Sequence, residues 1–152
     1  MRSAPALLLL ATLVLGSGAP AHADGDPCGP LDGELQQLTV RARTGERGLW
    51  LQVQQVQARY PARCDDGALA EGYSELVTST LAQRWSQVAE LARLARTDRA
   101  FLAFVLRHVD ASASEDDLRR VAENARTACP KGVSRALCAD LERAAARALS
   151  PK

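Results

Sequence analysis

The chain has 152 residues, with 19 Lys and Arg against 18 Asp and Glu and a formal net charge of +1 at pH 7. This length suits a single domain, and the balanced charge lacks the basic excess typical of nucleic-acid-binding proteins, so we expect no nucleic-acid partner. After residue 23, no apolar run approaches the roughly 20 residues that a membrane-spanning helix needs, so we also expect no membrane span there.

The first 23 residues have the pattern of an export signal. Arg2 supplies a positive start, residues 6–16 form an apolar run, and residues 21–23 (AHA) match a small-x-small cleavage site. We therefore predict a signal peptide over residues 1–23 and a single helical domain over residues 24–152. The predicted location is periplasmic or secreted.

Apolar residues recur with helical spacing over residues 31–60, which predicts a first pair of helices. One covers about residues 32–43 and the other about residues 49–60. Residues 44–48 (TGERG) separate them, because their two glycines interrupt the helical pattern. A strand hairpin within residues 36–58 is an alternative for this segment.

Further helices are predicted beyond this pair, each preceded by a polar residue that can cap its first turn. The predicted capping residues are, in chain order, Asp66, Ser86, Thr97 or Asp98, Ser114 and Ser134. No convincing alternating strand is present. The predicted fold is therefore all-α, with six to seven short helices packed as antiparallel helical hairpins and stapled by two disulfides.

All four cysteines lie in the predicted mature domain, and four cysteines allow three pairings. An exported chain meets an oxidising compartment, where cysteines form disulfides. A short turn separates Cys129 from Cys138, and Cys28 and Cys64 flank the first helical pair, so these two pairings are preferred. The pair Cys28–Cys64 requires the break at residues 44–48, because one continuous helix would hold them about 45 Å apart.

Neither redox nor metal chemistry is indicated for these cysteines. The chain has no CxxC motif, and the predicted mature domain has a single histidine. We therefore expect structural disulfides, no metal site and no cofactor.

His108 is that single histidine and the natural candidate for a general base. It is in phase with Phe101, Phe104 and Val105 at the end of a predicted helix, where the helix dipole accounts for a histidine without catalysis. No GxSxG motif supplies a serine that would complete a triad with Asp110.

Paired carboxylates occur at the start of two predicted helices. Asp65 and Asp66, with Glu71 nearby, precede or open the third helix, and residues 115–117 open the sixth. Helix capping and the positive end of the helix dipole explain both groups better than acid–base catalysis. We therefore predict no catalytic residue and no enzymatic activity.

The candidate binding residues are Trp50, Gln54, Trp85 and His108. Trp50 lies one position off its apolar stripe and Trp85 lies at a junction between helices, and tryptophan is favoured at interfaces. Gln54 belongs to the glutamine-rich segment 51–57 (LQVQQVQ), whose neutral amides lose water more easily than charged groups.

The combination of a signal peptide, short helices and cystines resembles the small exported helical proteins of Gram-negative bacteria. These include the periplasmic immunity proteins that block type VI secretion amidases. The resemblance concerns overall architecture and rests on no family-specific motif, so no inhibitory residue is carried over. It implies a non-enzymatic module that binds a protein partner, for example as an inhibitor of a cell-wall-targeting enzyme.

Two other functions fit the sequence. One is a small apolar-ligand carrier or envelope stress protein, with a pocket near Trp85, Phe101 and Phe104. The other is a hydrolase that uses Asp65 or His108, or Asp66 at the adjoining helix start. The sequence identifies neither the partner nor the oligomeric state.

Overall fold

The sequence pattern of helical stripes and capping residues is realised as seven α-helices and two short 3₁₀ turns within residues 25–150, the part that the computed structural model describes. The predicted signal peptide lies outside these residues. The helices are α1 Gly29–Thr44, α2 Leu49–Arg59, α3 Gly67–Gln83, α4 Val88–Ala95, α5 Arg99–Arg107, α6 Glu115–Thr127 and α7 Arg135–Leu149. The 3₁₀ turns are Ala62–Cys64 and Trp85–Gln87.

This arrangement confirms the predicted all-α class. No strand occurs in the described residues, so the alternative of a strand hairpin within residues 36–58 is wrong. Helical spacing of the apolar residues persists through both sides of the turn, and this outweighs the β-branched residues near its first side.

Two glycines make the turn between α1 and α2. Gly45 has φ 72° and Gly48 has φ 79°, a backbone region that residues with a Cβ atom rarely adopt. The amide of Gly45 donates to the carbonyl of Ala42 at 3.1 Å, which closes the end of α1. The chain then reverses, and α2 packs against α1.

Both preferred disulfides are confirmed. Cys28 bonds Cys64 with the Cα atoms 5.3 Å apart, and Cys129 bonds Cys138 with the Cα atoms 6.0 Å apart. The first bond joins the residue before α1 to the turn after α2, and the second joins the end of α6 to the start of α7. Each disulfide contributes about 2–4 kcal/mol to the free energy of unfolding.

Four of the predicted helix caps form as side-chain hydrogen bonds. The side chains of Asp66, Asp98, Ser114 and Ser134 accept from the backbone amides of Gly67, Phe101, Asp117 and Ala136. The predicted cap at Ser86 is wrong, because Ser86 lies inside a 3₁₀ turn that leads directly into α4 without a side-chain cap.

Helix α3 organises the core. It packs against both α1 and α6, while α6 and α7 form a closely packed hairpin and α5 packs against α4 and α7. Leu76 and Val77 of α3 are completely buried, together with Leu91 of α4 and Leu141 of α7. None of the helices in residues 25–150 is long and apolar enough to cross a membrane.

Candidate functional site

Two of the four predicted binding residues, Trp50 and His108, lie inside the protein. Trp50 is 1% exposed and His108 is 2% exposed. Trp50 is buried because α2 packs against both α1 and α4. The buried side of α2 is therefore wider than the single stripe of Leu49 and Val53 and includes Trp50. Neither side chain therefore reaches the surface of the protein, where a partner could contact it.

The other two, Gln54 and Trp85, are half-buried and connect elements of the fold. The Nε2 of Gln54 donates to Oδ2 of Asp98 at 2.7 Å, which ties α2 to the start of α5. The Nε1 of Trp85 donates to the carbonyl of Ala128 at 2.8 Å, which ties the turn before α4 to the end of α6. Within residues 25–150, no hydrogen bond joins any two of the four candidates, so they do not form one site.

His108 instead belongs to a buried polar cluster, which we define as Asp65, Ser74, His108 and Asp110. The Nδ1 of His108 lies 2.9 Å from Oγ of Ser74 on α3, and its Nε2 lies 3.0 Å from Oδ1 of Asp65 in the turn before α3. The ring of Phe104 packs 4.5 Å from the imidazole, centroid to centroid. The apolar stripe of α5 thus carries His108 inward, onto polar groups from two other segments.

Burial, more than charge, sets the protonation of His108. It lowers the pKa of the ring below the ordinary value of about 6.5, and this outweighs the raising effect of Asp65. The sequence suggested that the helix dipole accounts for a histidine at this position. A neutral imidazole gains little from the dipole, so the structure does not support that explanation.

The neutral ring has a single N–H group, so it can donate to Ser74 or to Asp65 but not to both. His108 Nε2 and Asp65 Oδ1 lie 3.0 Å apart, and neither atom has another partner in the described structure. A proton on Nε2 faces Asp65 and leaves Nδ1 to accept from the Ser74 hydroxyl, whereas a proton on Nδ1 would leave Nε2 as an acceptor against the carboxylate.

The two carboxylates of the cluster are held from outside it as well. Asp65 forms an ion pair with Arg107 through Oδ2. Asp110 accepts from Oγ of Ser74 and from the backbone amide of Ser112, both at 2.9 Å. Burial raises the pKa of Asp110, but the hydrogen bonds from Ser112 and Ser74 outweigh it, and the pKa lies below its usual range.

A serine, a histidine and a carboxylate within hydrogen-bond range are the parts of a hydrolase triad. In this cluster, however, Ser74 is only 1% exposed. Its hydroxyl carries one hydrogen and is enclosed by Asp110, by the imidazole of His108 and by the carbonyl of Ala70 at 3.0 Å. In this arrangement the oxygen is not accessible to a substrate.

Ser74 is the residue that sequence reasoning missed, although a signal was present. Ala70, Ser74 and Thr78 recur every four residues along α3, which places two small hydroxyls on one line beside the apolar stripe. Both hydroxyls contact His108, since Thr78 donates to its carbonyl at 3.1 Å.

A cavity of about 300 Å³ opens beside this cluster. Tyr60, Tyr73 and Phe104 form its aromatic wall, and Asp65 and Arg107 form its polar side. The predicted ligand pocket near Trp85, Phe101 and Phe104 is only partly realised, because Phe101 is completely buried and only Phe104 lines this cavity.

A second, different surface lies on the outside of the α1–α2 pair. We call it the amide face and define it by Gln36, Gln37, Val40, Arg41, Leu51, Gln52 and Gln55. Val40 is 59% exposed and Leu51 is 39% exposed, and these are the exposed large apolar side chains of residues 25–150. Gln55 of α2 is exposed and Gln52 is half-buried, and both line one groove with the exposed Gln37 of α1.

A groove of about 410 Å³ runs along the amide face between α1 and α2. Its charged residues are already paired: Arg59 lies 2.8 Å from Glu34, Arg41 lies 3.9 Å from Glu46, and Arg41 also donates to Gln52. Because these charged groups pair with one another, the groups of the groove that remain available to a partner are mainly glutamine amides and aliphatic side chains.

Comparison of the chain with profiles of known protein families, with curated proteins and with solved structures finds no match.

Proposed function

We propose that this protein is an exported, non-enzymatic module that binds a protein partner through the amide face. The observation that carries the proposal is that the exposed large aliphatic side chains of residues 25–150, Val40 of α1 and Leu51 of α2, lie on the two helices that form a groove lined by glutamine amides. Elsewhere in residues 25–150, the large apolar side chains are buried or half-buried.

The energetics of desolvation favour this face over the rest of the surface. Covering Val40 and Leu51 removes apolar area from water, which stabilises a complex by about 25 cal/mol per Å². Neutral amides lose water at a lower cost than charged groups, and the nearby charges of Arg59 and Glu34 are already paired. The matching partner surface is therefore uncharged, with aliphatic groups and with amides or backbone groups that bond to glutamine.

Two features support the remaining parts of the proposal. The hydroxyl of Ser74 is enclosed, so the arrangement with His108 holds helices together and offers no accessible nucleophile. Two disulfides, Cys28–Cys64 and Cys129–Cys138, are compatible with an oxidising compartment. The concrete version of the proposal is an inhibitor of a cell-wall-targeting enzyme, which also follows the architectural resemblance to immunity proteins.

The test is a comparative capture experiment with the full chain carrying a C-terminal affinity tag. The variant Val40→Asp/Leu51→Asp places two charges on the amide face, and Ala103→Asp/Ala146→Asp places the same charges on exposed positions of α5 and α7. Proteins from an envelope extract of the source cell are captured on each protein and quantified by mass spectrometry.

The expected result is a partner that the unmodified chain and the Ala103/Ala146 variant retain and that the Val40/Leu51 variant loses. For the inhibitor version, the purified partner degrades peptidoglycan, and adding the unmodified chain stops it. The proposal fails if no protein is lost selectively from the Val40/Leu51 variant while circular dichroism shows that this variant is folded.

A further inference from the structure

A cavity of about 440 Å³ lies between the corner of α4 and α5 and the start of α7, and none of the residues that define the amide face lines it. Its floor is apolar and consists of Ala92, Ala95, Leu102, Val133 and Leu137. The volume is within the range of about 300–1,000 Å³ typical of small-molecule pockets.

The hydrophobic core comes to the surface at this cavity. The five floor residues are each 5–8% exposed, whereas residues at the centre of the core such as Leu76, Leu91 and Leu141 are completely buried. An apolar ligand body placed on this floor would remove the remaining exposed area from water, which favours binding.

The rim of the cavity is positively charged. Arg96 and Arg99 line it and are exposed, and within residues 25–150 neither has a side-chain hydrogen bond or an ion pair. The acidic residue of the lining is Asp140, and its carboxylate is already paired with Arg143. The rim therefore presents two free guanidinium groups to a ligand, and guanidinium geometry matches carboxylates.

We infer that this cavity is a binding site for a small monoanionic amphiphile, a carboxylate with a medium-length apolar chain. The chain lies on the floor of Ala92, Ala95 and Leu137, and the carboxylate bonds to Arg96 and Arg99 at the rim. The site is independent of the proposed protein-binding function, because it uses different elements of the fold.

The probe for the test is sodium decanoate, titrated into the full chain and followed by calorimetry and by amide chemical shifts. The variant Arg96→Gln/Arg99→Gln removes the rim charges, and Arg93→Gln/Arg120→Gln removes two exposed arginines that do not line the cavity. Decyltrimethylammonium tests the sign of the charge with the same chain length, and acetate tests the carboxylate without a chain.

Decanoate is expected to bind with saturation and to shift the amides of Val133 and Leu137. The Arg96/Arg99 variant should weaken binding at least about tenfold, because each charge-assisted hydrogen bond contributes that much or more. The Arg93/Arg120 variant should leave the affinity unchanged, and acetate should not bind. The inference is overturned if decanoate shows no saturable binding, if decyltrimethylammonium binds as tightly, or if the two arginine variants behave alike.

Discussion

His108 is a titratable side chain whose surroundings favour opposite protonation states. Burial favours the neutral ring, while Asp65 and Asp110 favour the protonated ring, and burial prevails. The folded protein therefore binds the imidazole proton less readily than the unfolded chain does. This difference makes the free energy of unfolding depend on pH in a range where carboxylates hardly titrate.

We expect the free energy of unfolding to be highest above pH 6.5, to decrease as the pH falls from about 6.5 toward the lowered pKa of His108, and to level off below that pKa. The reason is that the unfolded chain gains a proton near pH 6.5 and the folded chain does not, at a cost of up to about 1.4 kcal/mol per pH unit. Urea unfolding between pH 7.5 and pH 5 measures this effect. The variant His108→Gln should lose this slope, and equal slopes in both proteins would contradict the assignment to His108.

Ser74 is the hydroxyl that links the imidazole of His108 to the carboxylate of Asp110. The substitution Ser74→Ala should lower the free energy of unfolding by about 1–3 kcal/mol, because it leaves buried polar atoms without a partner. Ser79→Ala is the matched control on α3, since the Ser79 hydroxyl is half-buried and makes only a 3.4 Å contact with a backbone carbonyl. Urea unfolding at pH 7.5 compares the two, and equal losses would contradict a special role for Ser74.

The cluster shows how far single residues could be predicted. Helical spacing predicted that His108 is in phase with Phe101 and Phe104, and the ring is indeed buried. The sequence did not reveal that Ser74, 34 residues away, meets the same ring, because that contact depends on how α3 and α5 pack. Trp50 lies one position off the stripe of Leu49 and Val53 and is nevertheless buried, because α2 packs against both α1 and α4, and a single stripe does not show that a helix has two neighbours.

At the level of elements, capping chemistry made the helix starts predictable. Asp66, Asp98 and Ser114 are short polar residues with an oxygen in reach of the first-turn amides, and each forms the expected bond. Ser86 has the same chemistry but lies within a 3₁₀ turn, so the residue type alone was insufficient there.

The turn between α1 and α2 gives a matched test of backbone conformation. Gly48→Ala should lower the free energy of unfolding by about 1–2 kcal/mol, because alanine is strained at φ 79°. Gly33→Ala, within α1 and with no atom near its added Cβ, should raise it by about 0.5–1 kcal/mol. Thermal unfolding of both variants measures the two changes, and equal signs would contradict this account of the turn.

At the level of the whole molecule, the two disulfides differ in how much they stabilise the fold, because they close loops of different length. The loop closed by Cys28–Cys64 spans 36 residues and the loop closed by Cys129–Cys138 spans 9. A longer loop loses more entropy in the unfolded chain when it is closed, so the first bond restricts that chain more.

Removing the first bond by Cys28→Ala/Cys64→Ala should therefore lower the free energy of unfolding by about 4 kcal/mol. Removing the second by Cys129→Ala/Cys138→Ala should lower it by about 2.5 kcal/mol. Urea unfolding under oxidising conditions measures both. The reverse order of the two losses would contradict the loop-entropy account.

The two disulfide loops neither overlap nor enclose one another along the chain. In a chain that meets an oxidant from its N-terminus onward, Cys64 is the first partner that reaches Cys28, and Cys138 is the first free partner that reaches Cys129. The earliest possible bond is the native one in both cases. Oxidative folding of this protein then requires bond formation and no exchange of bonds already made.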